Sequence, residues 1–102
     1  MKRGAEHEAR GQGEYQQQYM EIVMLVREYR KTREELRLRR KAIDADISAR
    51  RESLLAALSL TRQNASLQGE YIMSLAIGLN ELLVELKGVD DQINILSLEL
   101  ND

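Results

Sequence analysis

The sequence contains no proline, no phenylalanine, no tryptophan and no cysteine. Without proline, no position forbids the i to i−4 hydrogen-bond ladder, so very long helices are permitted. Without phenylalanine or tryptophan, a core must be made of Leu, Ile, Val and a few Tyr. Such residues suit a thin helix seam better than a wide globular interior. Without cysteine there is neither a disulfide framework nor thiolate chemistry, and a reducing, cytoplasmic setting is expected. Long apolar runs are missing too. The longest, Ile22 to Val26, has five residues, far below the roughly 20 needed to cross a bilayer, so no membrane insertion is expected. Residues 1 to 14 are polar and hold three glycines; no secretory signal is read there.

What is present is periodic. From Tyr15 an alternating 4-and-3 spacing runs through Tyr19, Ile22, Val26, Tyr29, Arg33, Leu36, Arg40, Ile43, Ile47, Arg50 and Leu54. That is a heptad seam whose only interruptions are three Arg, each able to lay its stem along the seam and reach outward. A second run is wholly apolar: Ile72, Leu75, Leu79, Leu82, Leu86, Val89, Ile93, Leu96 and Leu100. The two runs are out of phase, which marks either a stutter or a turn. Between them "TRQNASLQGEY", residues 61 to 71, is polar and offers Asn64 and Ser66 as helix caps, with Gly69 close by. The expected fold is therefore all-α: an antiparallel two-helix coiled-coil hairpin that self-associates into a helical bundle. Residues 1–14 are read as a disordered arm and 15–102 as the hairpin. Helix 1 is placed at about 15–60, the turn at about 61–69 and helix 2 at about 70–100.

Charge points the same way. Residues 27 to 41 hold eight Lys or Arg against Glu28, Glu34 and Glu35, a net of +5. Residues 70 to 102 hold seven acids against Lys87, a net of −6. Folding the chain so that partner positions sum to about 131 sets Arg40 against Asp91, Arg50 against Glu81 and Asp44 against Lys87, with Arg33 near Glu99. These pairs are expected to fix register more than stability, since exposed pairs contribute about 0 to 1 kcal/mol each.

Two apolar groups are left over. A hairpin of this register leaves Tyr15 to Glu28 projecting past helix 2, and Ile77, Val84, Ile95 and Leu98 lie on the side of helix 2 away from its seam. A helix apolar on two faces is normally covered from two sides. The expected interface with a second copy, most simply a dimer, thus comprises Tyr19, Ile22, Val23, Leu25, Val26, Tyr29, Ile77, Val84 and Leu98, and another helical protein is a further expected partner.

Catalysis has no foothold. The single imidazole, His7, sits between Glu6 and Glu8 in the glycine-bearing arm, and adjacent residues do not share a helix face. No catalytic residue, metal ligand or cofactor is assigned, and the chain is not read as an enzyme. Gly69, Gly78 and Gly88 are too far apart for a phosphate loop. Asn64-Ala65-Ser66 fits a glycosylation acceptor but has no secretory context, and the Tyr15, Tyr19, Tyr29 stripe fits core packing better than ligand stacking.

The expected function is that of a non-catalytic structural or adaptor protein mediating oligomerisation and assembly. Across residues 15 to 100 the chain, with its Arg-rich first helix in a hairpin, also resembles the small helical stalk and chaperone subunits of flagellar and type III secretion systems. That likeness, of architecture and composition rather than of motif, implies export or assembly chaperoning as the alternative. A third reading is nucleic-acid binding through the basic helix 27–41, which joined to heptads resembles a basic-zipper region. Against it stand the interrupting Glu28, Glu34 and Glu35 and the lack of base-reading Asn and small residues.

Overall fold

A computed structural model describes the backbone of residues 2–101 and the side chains of residues 15–101. The chain is a helical hairpin: α1 spans Lys2–Ala57, α2 spans Gly69–Glu99, and the two pack antiparallel along the length of α2. No strand occurs among the described residues. The principal extents are 95 × 18 × 15 Å, whereas an unbroken helix over residues 15–102 would reach about 130 Å. The arm read at residues 1–14 lies outside the described side chains.

α1 ends at Ala57, shortly before the boundary expected near residue 60. Leu58 N–H still donates to Leu54 O at 3.0 Å, and the ladder then tightens with Ser59 N–H donating to Ala56 O at 3.3 Å. Ser59 Oγ then lies 2.9 Å from Thr61 Oγ1 and accepts from Thr61 N–H at 3.4 Å, a local bonding that competes with helix. Asn64 and Ser66, expected as caps, instead form a single 3-10 turn over Asn64–Ser66. It is closed by Ser66 N–H and Ser66 Oγ, both donating to Gln63 O at 2.9 and 2.8 Å. The N-cap of α2 is Gln68, whose side chain makes no capping bond, and Gly69 is simply the first helical residue with no positive φ. Glu70 in the first turn suits the positive end of the helix dipole. At the far end Asn101 adopts φ 56° and its N–H donates to Leu98 O at 3.2 Å, a left-handed C-terminal stop.

The core is a single seam. Ile43, Ile47 and Val89 are buried together, with Leu36, Leu79, Leu82, Leu86 and Ile93 packed around them. Leu75 and Ala57 close the turn end. Two helices cannot enclose a side chain fully, and among the described residues no large one falls below 2% exposure. All the apolar residues in this cluster come from the two heptad rows.

Candidate assembly surfaces

The three Arg in the α1 seam show how α2 is held in register. Arg33 is buried, and its Nη1 donates to Ser97 Oγ at 3.4 Å. Arg40 Nε donates to Asp90 Oδ1 at 2.6 Å. That hydrogen bond, then the Asp90 charge, holds the Arg40 guanidinium above its ordinary pKa against a small desolvation penalty, with Asp44 adding in the same direction. Arg50 lies over Gly78: a Cβ there would come within 2.8 Å of Arg50 Nη1. Gly78 thus clears space for a seam cation.

Partner positions sum to 130 for both Arg40–Asp90 and Arg33–Ser97, one less than the expected register. That single residue matters, because neighbours on a helix point about 100° apart. Arg40 bonds Asp90 rather than Asp91, and Arg50 lies over Gly78, three residues before the expected Glu81. No ion pair joins Asp44 to Lys87 among the described residues. Arg39 pairs with Glu85 across the flank of the seam, a contact that seam spacing alone does not reveal. Lys87 and Asp91 are left exposed on α2, in no ion pair among the described residues.

This register also sets where α2 stops. With Ser97 beside Arg33, the end of α2 reaches only to the level of Tyr29 or Arg30, and α1 continues beyond it. The seam residues that follow find nothing opposite: Tyr19 is 68% and Ile22 60% exposed, while Ile43 in the same seam is 3% exposed. Val23, Val26 and Tyr29 are half-covered, and Met20, Met24 and Leu25 are exposed around the rest of the helix. Between Tyr15 and Val26 the only charged residue is Glu21.

The second leftover surface is the back of α2. Ile77, Val84, Ile95 and Leu98 are exposed, Leu98 at 77%, and Met73 and Leu83 lie exposed beside them. Filling in the positions between shows a further 4-and-3 series: Ile77, Glu81, Val84, Gly88, Asp91, Ile95, Leu98. The spacing is that of a seam, with Gly88 at its centre. Gly88 has open space where its Cβ would be.

Neither surface resembles a chemical centre. A groove beside Arg50 is lined by Asp46, Ala49, Ser53, Leu75 and Leu82, and no side-chain hydrogen bond joins Ser53 to Asp46 among the described residues. Among the described residues no three potential metal ligands cluster, and no helix is long and apolar enough to cross a membrane. His7 lies outside the described side chains. Of the eight basic residues at 27–41, Arg33, Arg37, Arg39 and Arg40 bond to this chain's own Ser97, Glu34, Glu85 and Asp90. No family model, no curated protein and no solved structure matches the chain.

Proposed function

We propose that this chain is a non-catalytic structural or adaptor component that works by helix pairing, first with a second copy of itself and through that assembly with other helical proteins. The observation that carries this reading is the seam of α1 running past the end of α2. The same 4-and-3 row that is buried at Ile43 and Ile47 is open at Tyr19 and Ile22. An apolar row with helical spacing and no partner in the chain is a demand for a helix from outside it.

The experiment is the solution mass of the wild-type chain and of Val26→Asp. A dimer that Val26→Asp disperses, with helicity by circular dichroism largely kept, is the expected result. An unchanged mass in Val26→Asp would remove the overhang from the interface.

The second reading, an export or assembly chaperone or a stalk subunit of a secretion-type system, draws on Met20 and Met24, both exposed on the overhang. Methionine adapts its shape to varied apolar partners. An overhang that captures a partner helix without forming a homodimer would favour it. The nucleic-acid reading finds less support, since half of the basic residues at 27–41 are already held by this chain.

A further inference from the structure

We propose that two hairpins pair back to back through α2, antiparallel and crossing at Gly88, with Lys87 of each copy facing Asp91 of the other. This rests on the self-association proposed above and names its geometry. Three observations converge on it.

The first is Gly88 itself. Glycine inside an exposed helix is a net cost relative to alanine. Gly78 repays that cost by admitting Arg50, but at Gly88 nothing in the hairpin uses the missing Cβ. A glycine at the centre of an outward-facing helical seam permits the close approach of a second backbone.

The second is the symmetry of the back seam about that glycine. Pairing α2 with its own copy so that positions sum to about 178 sets Lys87 level with Asp91 and leaves the two Gly88 within two residues of each other. The same register brings Val84 to the level of Asn94 and Ile95. Exposed Val84 and Ile95 thus meet on both sides of the crossing, as an isologous contact requires.

The third is charge. Lys87 and Asp91 lie either side of Gly88 and take part in no ion pair among the described residues. A two-fold axis beside Gly88, level with Val89, sets Lys87 of one copy opposite Asp91 of the other, twice over, and keeps the two Lys87 about one helical turn apart. A parallel arrangement would instead set like charge beside like. Self-complementarity is what selects a second copy of this chain as the occupant.

The register has a consequence at the ends. The overhang of each copy, about residues 15–28, stands level with about residues 63–76 of the other. That segment carries exposed Leu67, Tyr71 and Met73. The two leftover surfaces of the hairpin are then parts of one assembly.

The test is sedimentation equilibrium on the full chain, with circular dichroism melts as a folding control. Gly88→Leu should weaken dimerisation at least about tenfold. Gly88→Ala should raise the melting temperature of the dilute hairpin while weakening the dimer, a combination that a purely structural glycine does not produce. Lys87→Asp should weaken the dimer, and adding Asp91→Lys in the same chain should restore it. A wild-type dimer whose affinity is unaltered by Gly88→Leu, or a charge swap that restores nothing, overturns this geometry and leaves the self-association reading standing. A wild-type chain that stays monomeric at high concentration overturns both.

Discussion

Over the length where the helices pair, their outward sides are made of different material. From Tyr29 to Ala57, α1 exposes two large apolar residues, Leu38 and Leu55, among Arg, Lys and Glu side chains. Along Gly69–Glu99, α2 exposes seven: Tyr71, Met73, Ile77, Leu83, Val84, Ile95 and Leu98. A hairpin that ended its business at its own seam would have two backs of the first kind. Along this stretch α1 turns a charged back to solvent, while α2 turns an apolar one, the surface that the proposed self-association would cover. The difference also separates two uses of charge. On α1 the basic residues are partly spent on α2, through Arg39–Glu85 and Arg40–Asp90. Lys87 and Asp91 on α2 join no ion pair among the described residues.

The largest effect is expected at the seam that both helices share. Ile43→Ala removes the most buried side chain of the core and should cost about 2 to 5 kcal/mol, which for so thin a core means a large loss of cooperative melting in a urea titration. Next come the two backs. Val84→Asp should raise the dimer dissociation constant at least about tenfold by sedimentation, while Leu38→Asp on the back of α1 should leave it unaltered. Equal effects from both would erase the distinction drawn here.

A finer contrast lies in the two interior glycines. Gly88→Ala should stabilise the dilute hairpin by about 0.5 to 1 kcal/mol, because the added methyl meets nothing. Gly78→Ala should gain less in the same thermal melt, since Arg50 must move off the position that the methyl takes. The smallest effect belongs to the flanking ion pair. Arg39→Ala should cost no more than about 0.5 kcal/mol, and the cost should shrink further in high salt because the arginine is exposed.

Much of the fold was legible in the heptad rows. Their 4-and-3 spacing marks which residues form the seam, and the phase change between Leu54 and Ile72 marks where the chain turns. Charge opposition placed the register within one residue of that found. Its failure at Asp91, where Asp90 takes Arg40 instead, follows from adjacent residues pointing in different directions on a helix. α1 runs from Lys2 to Ala57 where about 15–60 was expected; its end near Ala57 goes with the hydroxyls of Ser59 and Thr61 bonding to each other and to the backbone, which apolar periodicity does not register. The purpose of Gly78 was invisible for another reason: it depends on where a flexible Arg50 side chain from the other helix comes to rest. The leftover apolar residues were legible as a row, but the central place of Gly88 emerges only when α2 is seen with its back uncovered.

The proposed function requires a hairpin so long and so thinly cored to complete itself with another copy. The decisive measurement is sedimentation equilibrium of the wild-type chain across a wide concentration range. A reversible species of twice the 11.7 kDa chain mass is the expected result. A single species of 11.7 kDa at every concentration, soluble and helical, would contradict it.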